Sequence, residues 1–297
     1  MKLERPLQIL VRRRAAIGDV IMSTGVVREL KQRYGDNAEI HVATEFMEVY
    51  TNNPHIKSIY HTDRMAPAEQ FDLYINLDDA YEWNPTIHYV DNYFYRAFGS
   101  TDFDRSVELF PSDEDRAKVA ADIEEIGSKY IVVHMRNWHW PSKNVDINTW
   151  FGVYEHLFAH TTDYKVVTVG GPTDYSIHDH PLFVNRCGQY NSQQIKLLCD
   201  SAACFVGIDS GPFQCAAASS THIVALLTHL QPERILPYRN GIQGYNCTAV
   251  QTDIDCRGCN DNQQRPVRQL DCVHSDFRCS KNFDAVKIAS AILGQLK

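Results

Sequence analysis

Short runs of apolar residues alternate along the chain with segments of helical periodicity. The apolar runs are typical of buried strands, and they lie at residues 7–11, 39–43, 72–77, 130–134, 165–169, 204–208 and 222–227. The segments between them space their apolar residues as helices do, most clearly at residues 17–34, 148–158, 193–201 and 213–219. Strands that alternate with helices predict parallel sheets covered on both faces, and therefore an α/β fold.

The strand and helix pattern forms two series, which predict two domains. A chain of 297 residues is long for one core. Between the series, Ser112 is a good helix N-cap followed by acidic residues in the first turn. We therefore predict two doubly wound lobes, 1–120 and 121–297, that face a central cleft. The second lobe includes a Cys-rich segment, residues 255–281, and an amphipathic closing helix.

Charge and hydropathy exclude some classes of protein. With 29 basic and 37 acidic residues the net charge is −8, which disfavours sequence-independent binding to a nucleic-acid backbone. No stretch approaches the ~20 apolar residues of a membrane span. The apolar run near the N-terminus is too short for a signal peptide, so we expect a cytoplasmic protein without a transmembrane segment.

The first turn after a strand holds Gly18 and Asp19 at the start of a helix. Ligands bind at the carboxyl ends of parallel strands, so this turn is expected to face the cleft. Asp19 has two readings. It could cap the helix, or it could act as a general base for a hydroxyl group.

Two later turns are suited to a diphosphate. Arg136 and Lys143 follow the strand at residues 130–134 and lie among tryptophans, which suits a leaving group whose charge must be neutralised. Gly170 and Gly171 end the strand at residues 165–169 and would let a ligand approach the backbone closely.

The most specific stretch is FVGIDSGPFQCAAA, a strand, a turn of small polar residues and an alanine-rich helix. Pro212 suits the first helical turn. The backbone amides of Ser210 and Gly211 would point at an anion. Asp209 belongs to the same turn.

Four of the nine cysteines have the spacing of a metal site. Cys256 and Cys259 form a Cys-x-x-Cys pair, and Cys272 and Cys279 follow it. Four thiolates make a tetrahedral site for zinc or iron, so we predict a structural metal that staples this loop. Unpaired, reduced thiols are the alternative.

The stretches IGDVIMSTGVVRELKQRYGDNAEIHVAT, NNPHIKSIY, GGPTD and FVGIDSGPFQCAAA resemble glycosyltransferase family 9, the heptosyltransferases of lipopolysaccharide core assembly and their relatives. The resemblance covers most of the chain. It implies the GT-B fold, two Rossmann-like lobes, and an inverting reaction that needs no catalytic metal.

The resemblance also assigns roles. It implies Asp19 as the base next to Gly18, and Lys143 with the turn 209–212 on the donor phosphates. It implies Gly170 and Gly171 in the nucleotide pocket. Members often carry His where this chain has Gln214, which we also expect on the donor side.

Two further resemblances bear on the donor and the metal. The sequence His134-Met-Arg136 is closer to the His-x-Arg of fucosyltransferase-like GT-B enzymes, where the arginine meets the donor diphosphate. Related bacterial enzymes that glycosylate autotransporter proteins resemble the Cys-rich segment, with a four-cysteine iron finger.

The predicted function is transfer of a sugar from a nucleotide-sugar donor, ADP-heptose-like or another, to a hydroxyl of a glycan such as a lipopolysaccharide core. The aromatic residues of segment 83–95 could stack on a sugar or a base. A protein or a hydroxymethylated DNA base, as in phage enzymes, is the alternative acceptor. Arg257, Arg265 and Arg268 would also suit a zinc-ribbon protein that binds nucleic acid. A nucleotide-dependent oxidoreductase is disfavoured, because no Gly-x-Gly-x-x-Gly follows the first strand.

Overall fold

A computed structural model describes residues 5–259 and 272–296 of the chain. Its N-terminal part contains a parallel sheet of four strands. The strands are β1 (Leu7–Arg12), β2 (Ala38–Ala43), β3 (Ser58–Tyr60) and β4 (Leu73–Asn76). Their order in the sheet is β3-β2-β1-β4, so the two apolar strands β1 and β2 lie at its centre.

The C-terminal part contains a parallel sheet of six strands. They are β5 (Tyr130–Val133), β6 (Lys165–Thr168), β7 (Phe183–Asn185), β8 (Cys204–Gly207), β9 (His222–Leu227) and β12 (Cys247–Gln251), with a short antiparallel hairpin of β10 (Tyr238–Arg239) and β11 (Ile242–Gln243) before the last. The sheet order is β12-β9-β8-β5-β6-β7. The α/β fold with parallel sheets is therefore confirmed.

From residue 5 onward the N-terminal part has three α-helices: α1 (Ile17–Met22), α2 (Thr24–Tyr34) and α3 (Tyr89–Phe98). The sequence predicted one helix over residues 17–34, but the helix is divided at Ser23. The Ser23 hydroxyl donates to the Val20 carbonyl at 2.7 Å, and the Thr24 hydroxyl donates to the Ile21 carbonyl at 2.8 Å. Such local bonds compete with the helical ladder and end α1 at the cleft.

Within residues 113–259 and 272–296, the C-terminal part has seven α-helices. They are α4 (Asp113–Ile126), α5 (Ile147–His160), α6 (Ser192–Asp200), α7 (Gly211–Ala217), α8 (Pro232–Ile235), α9 (Arg278–Lys281) and α10 (Ala285–Leu293). Helix α10 is the predicted closing helix, and it packs on α5. Among the described residues, no helix is both long enough and apolar enough to cross a membrane.

The two sheets are joined by a continuous apolar cluster. It contains Ile9 of β1, Val132 of β5 and Phe213 of α7, all fully buried. A second cluster covers the other face of the larger sheet, where Trp150 and Ile288 pack.

The domain boundary stays a prediction, but residue 120 falls inside α4. The described side-chain bonds of this helix favour the C-terminal part. Asp115 accepts from the Gln194 amide at 2.8 Å, and Lys118 donates to the Gln189 carbonyl at 2.9 Å. Helix α4 is therefore better grouped with the second sheet.

Candidate active site

A cleft of about 790 Å³ opens at the carboxyl ends of the strands of both sheets. We call its two sides the N-terminal wall and the C-terminal wall. The N-terminal wall comes from residues 12–19, 22, 46, 78, 79, 81, 82 and 89, and the C-terminal wall from residues within 134–143, 171–174 and 209–212. The turns in which the sequence predicted chemistry thus meet in one cavity.

Asp19 lies on the N-terminal wall in the first turn of α1, and its carboxylate has three donors. Its Oδ2 atom accepts from the Ala16 backbone amide at 3.0 Å and from Arg13 Nη2 at 2.7 Å. Its Oδ1 atom accepts from the Tyr81 hydroxyl at 3.2 Å. The bond to Ala16 belongs to a capping box in which Ala16 is the N-cap and Asp19 is the third helical residue, so Asp19 is not itself the N-cap. Asp19 also lines the cleft, so the same residue is positioned to meet a ligand.

Arg13 was not predicted as a site residue, and it organises this wall. Its side chain is buried, and its guanidinium lies 5.6 Å from the ring centroids of both Tyr81 and Tyr93. Burial opposes its charge, but the acidic groups around it outweigh burial and raise the pKa of Arg13. It is a permanent cation. Glu82, 3.9 Å away, is the second carboxylate it faces, and burial raises the pKa of Glu82.

The C-terminal wall carries the two predicted cations, Arg136 and Lys143. Arg136 donates to the Asp209 carbonyl at 3.2 Å, and its guanidinium lies 4.9 Å from the Trp138 ring centroid. Burial lowers the pKa of Arg136. Lys143 donates to the Asp209 carboxylate at 3.2 Å. Both cations therefore converge on the turn that begins α7.

That turn abuts the start of α1 on the opposite wall. A Cβ atom on Gly211 would lie 2.6 Å from Cγ2 of Ile17, which is why the turn needs glycine there. A Cβ on Gly18 would lie 3.5 Å from the Gly211 amide nitrogen and from Gln214. Gly18 thus faces the start of α7, and Asp19 follows directly. The candidate base and the candidate phosphate turn are close neighbours.

Gly170 and Gln214 are predicted site residues that do not line the cleft. Gly170 has φ +141°, and a Cβ there would lie 2.3 Å from Asp174 Oδ2 and 2.8 Å from the His134 ring. Its role in the structure is to admit that pair, whereas Gly171 borders the cavity. Gln214 is buried beneath the turn. The sequence did not reveal that these two residues lie behind the residues that line the cleft.

His134 and Asp174 line the C-terminal wall and were not predicted as site residues. His134 Nε2 lies 3.0 Å from Asp174 Oδ2, and Nδ1 lies 2.9 Å from the Ser210 hydroxyl. The sequence signals that could have identified them are the motifs HMR and GGPTD at the ends of β5 and β6. The pairing itself was not apparent, because forty residues separate His134 from Asp174.

The four cysteines of the predicted metal site lie in one region. Cys256 and Cys259 are joined by a backbone turn, from the Cys259 amide to the Cys256 carbonyl at 3.2 Å. The Phe277 amide donates to Cys272 Sγ at 3.4 Å. Burial, followed by the three neighbouring thiols, raises the pKa of Cys279 to about 12. None of the nine cysteines, all of which are among the described residues, forms a disulfide.

A tetrahedral site of four thiols is not assembled, however. The described group whose ligand atoms all lie within 4.8 Å of one another is Asp255, Cys256 and His274. Cys256 is thus shared by two candidate donor sets. Of the three arginines that would suit the alternative of a nucleic-acid-binding zinc ribbon, Arg257 donates to the Thr252 carbonyl, while Arg265 and Arg268 lie outside the described residues.

Comparison with known proteins agrees with this architecture. Residues 62–264 match the family model of glycosyltransferase family 9 (heptosyltransferase). Lipopolysaccharide heptosyltransferase 3 of Escherichia coli is 21% identical, over 70% of this chain and 80% of that protein.

Two solved structures extend the comparison. ADP-heptose lipopolysaccharide heptosyltransferase II of E. coli is 15% identical and superposes with a TM-score of 0.69, covering 97% of this chain and 99% of the other. TibC of enterotoxigenic E. coli H10407, an iron-containing dodecameric glycosyltransferase, is also 15% identical, with a TM-score of 0.70, and covers 99% of this chain and 77% of its own. TibC has also been solved in complex with ADP-D-β-D-heptose.

Proposed function

The chain belongs to glycosyltransferase family 9 and is a glycosyltransferase, and we propose that it moves a sugar from a nucleoside-diphosphate donor to a hydroxyl acceptor with inversion at the anomeric carbon. One observation carries the proposal. Gly18, directly before Asp19, packs against the turn on which Arg136 and Lys143 converge, and Asp19 and that turn line the same cleft. A base and a diphosphate site are thereby offered to one reacting centre.

The reaction needs a proton acceptor on one side and charge neutralisation on the other. The acceptor oxygen attacks the anomeric carbon, and the bond from that carbon to the phosphate oxygen breaks. The hydroxyl proton passes to Asp19, and the nucleoside diphosphate leaves with the electron pair. Arg13 and Tyr81 hold the Asp19 carboxylate in one orientation, so the base is positioned before substrate arrives.

The C-terminal wall would bind the leaving diphosphate. Arg136 and Lys143 supply two positive charges, and charge-assisted bonds to phosphate oxygens are the strong ones. Lys143 now bonds Asp209. A phosphate would replace that carboxylate as the partner of the lysine. We propose ADP-heptose or a similar nucleotide sugar as the donor, because heptosyltransferase II of E. coli is named for ADP-heptose and TibC has been solved in complex with ADP-D-β-D-heptose.

A glycan such as a lipopolysaccharide core is the proposed acceptor. Aromatic residues support this choice, because Tyr81 and Tyr89 line the N-terminal wall and Trp83 beside them is 80% exposed. Flat apolar rings suit the faces of sugars. A protein or a hydroxymethylated DNA base remains the alternative acceptor, and nothing among the described contacts favours it.

The donor can be tested with purified protein. A thermal-shift panel of ADP, UDP and GDP should show a higher melting temperature with one base, because a ligand that binds only the folded state stabilises it by about 2.7 kcal/mol at 100 times its Kd. Transfer from ADP-heptose to core oligosaccharide, to protein and to hydroxymethylated DNA would then rank the acceptors. Absence of any shift with all three nucleotides at millimolar concentration would refute the donor site.

We also propose one structural zinc or iron per chain, held by Cys256, Cys259, Cys272 and Cys279. The turn at Cys256–Cys259 and the thiols that surround Cys279 fit such an ion. A metal there would tie the segment after β12 to α9. It would have no part in the chemical step, because these residues do not line the cleft.

Metal analysis of variants separates the two donor sets. Cys279→Ser should lose the metal and lower the melting temperature, whereas His274→Ala should keep both. Cys187→Ser removes a thiol outside the segment and serves as the control. Loss of metal in His274→Ala with retention in Cys279→Ser would instead favour Asp255, Cys256 and His274.

A further inference from the structure

Three residues of the C-terminal wall form a chain of hydrogen-bonded polar side chains: Asp174, His134 and Ser210. His134 follows β5 and is buried. Its Nε2 lies 3.0 Å from Asp174 Oδ2, and its Nδ1 lies 2.9 Å from the Ser210 hydroxyl. Ser210 is the N-cap of α7 and borders the cleft. The chain thus connects a partly buried carboxylate to the turn that faces the ligand.

We infer that His134 is a positioning residue for the donor diphosphate: it sets the direction in which the Ser210 hydroxyl donates, and the diphosphate binds together with a proton on His134. The inference rests on the proposed function, since it takes a diphosphate as the ligand of this turn.

Hydrogen-bond counting around Asp174 fixes one proton of His134. The carboxylate accepts from the Gly171 backbone amide at 2.7 Å and from the Asn137 backbone amide at 2.8 Å, in addition to His134. Burial opposes its charge, but these bonds outweigh burial and lower the pKa of Asp174. An ionised carboxylate only accepts, so Nε2 of His134 must carry a hydrogen.

The same hydrogen-bond analysis allows two arrangements of the Ser210 hydroxyl, one for each protonation state of His134. If His134 is neutral, its Nδ1 is an acceptor, and the Ser210 hydroxyl must donate to it. If His134 is protonated, Nδ1 donates to the Ser210 oxygen, and the hydroxyl proton is released to another acceptor. In the structure that other acceptor is the Ile208 carbonyl, 2.9 Å away.

A phosphate oxygen distinguishes the two states. It is an acceptor, so a Ser210 hydroxyl engaged by neutral His134 would offer it only lone pairs. Protonated His134 frees the hydroxyl to donate to the phosphate and adds a positive charge nearby. Diphosphate binding should therefore raise the pKa of His134 and take up a proton.

The surroundings of His134 favour the neutral state before ligand binds. Burial is the main cause that lowers its pKa, and Arg136 on the same loop acts in the same direction. Asp174, from the loop after β6, opposes them. From β8 the close neighbour is Gly207, and α7 presents the uncharged Ser210. With a lowered pKa in the free protein and a raised one in the complex, ADP affinity should increase as pH falls through the interval between them.

ADP is the probe, and calorimetry at pH 5.5 to 8.0 in buffers of different ionisation enthalpy measures both affinity and proton uptake. Two variants each keep one of the two hydrogen bonds of His134. His134→Gln can still donate to Asp174, and His134→Asn can still reach Ser210, but neither titrates. Dividing the wild-type affinity by that of each variant cancels the titration of ADP itself.

The wild-type affinity relative to either variant should rise on acidification, by about tenfold for each unit by which ADP raises the pKa of His134. The Cε1 carbon of His134 should report the same pKa change by NMR. Ser210→Ala, which keeps the histidine, should bind ADP more weakly and reduce the pH dependence. Ser210→Ala also tests the inference if the His134 variants do not fold.

Equal pH dependence and equal proton uptake in wild type and variants, with ADP bound in all, would overturn the inference while leaving the proposed function intact. Failure of wild-type protein to bind ADP, UDP or GDP at any pH would instead contradict the proposed function.

Discussion

The two walls of the cleft hold their charges in different ways. On the N-terminal wall, Asp19 is tied to the buried Arg13 and to Tyr81, and Arg13 is enclosed by aromatic rings. On the C-terminal wall, Arg136 and Lys143 share one neighbouring residue, Asp209. The first wall is preorganised by contacts within the protein. The second has cations whose partner a ligand could replace.

This difference matches the proposed roles of the walls. A base must hold its position through the reaction, and preorganised groups lose no energy to reorientation at that moment. A diphosphate site must bind and release its ligand, so it requires charges that can exchange partners. Substitutions on the two walls should therefore affect different measurements: turnover on one wall and donor affinity on the other.

The largest expected effect is that of Asp19→Asn on turnover. Asparagine keeps the shape but removes the base, so turnover should fall by about 10² to 10⁴ while ADP affinity stays near that of wild type. Stability should fall by about 1–3 kcal/mol, because Arg13 loses a charged partner. Steady-state kinetics, calorimetry and thermal melting measure the three quantities.

Glu82→Gln is the matched control for Asp19→Asn. Glu82 also faces Arg13, at 3.9 Å, and lines the same wall. It should lower stability without a comparable loss of turnover. If the two variants lose turnover equally, the role of Asp19 is to balance the charge of Arg13, and the base lies elsewhere.

The next effect is on donor binding. Lys143→Ala and Arg136→Ala should each weaken ADP binding by about 10- to 100-fold, since each removes a charge-assisted bond. Lys129→Ala is the control, because it removes one positive charge outside the cleft. Calorimetry at fixed salt gives the affinities. Unchanged ADP affinity combined with a loss of acceptor affinity would reverse the roles of the two walls.

The sequence was most informative where chemistry lies within one turn. Gly18 with Asp19 and the turn 209–212 each lie in the connection after an apolar strand, and all of these residues line the cleft. Strands β1, β5, β6, β8 and β9 were likewise predicted from their apolar runs, within two residues at either end.

The sequence was least informative where partners come from distant segments. Arg13 contacts Tyr81 from another strand end, and His134 contacts Asp174 across forty residues. No local pattern encodes such pairs, because the sheet order brings them together. Helix α3 was missed for a related reason: its aromatic residues face a core that only the folded chain provides.

A smaller effect on turnover is expected from the Tyr81 hydroxyl. Tyr81→Phe removes the donor that lies 3.2 Å from Asp19 Oδ1, and turnover should fall by about 2- to 10-fold, as for one hydrogen bond. Tyr93→Phe is the matched control, because among the described residues its buried hydroxyl has no hydrogen-bond partner. That variant should keep its activity and its stability. Equal losses would mean that the rings beneath Arg13 matter more than the hydroxyl.

The smallest effect tests whether the C-terminal wall exchanges partners. The Asp209 carboxylate accepts a hydrogen bond from the Lys143 ammonium group, so a phosphate must compete with it for that group. Asp209→Asn keeps the side-chain shape and the backbone carbonyl that Arg136 bonds, but it removes the competing charge. ADP affinity should then rise by about 2- to 5-fold, a change of less than about 1 kcal/mol, and the rise should shrink at high salt. Calorimetry at two salt concentrations measures both. A fall in affinity would mean that Asp209 contacts the ligand itself, so that the C-terminal wall, like the N-terminal one, is built around a carboxylate that stays in place.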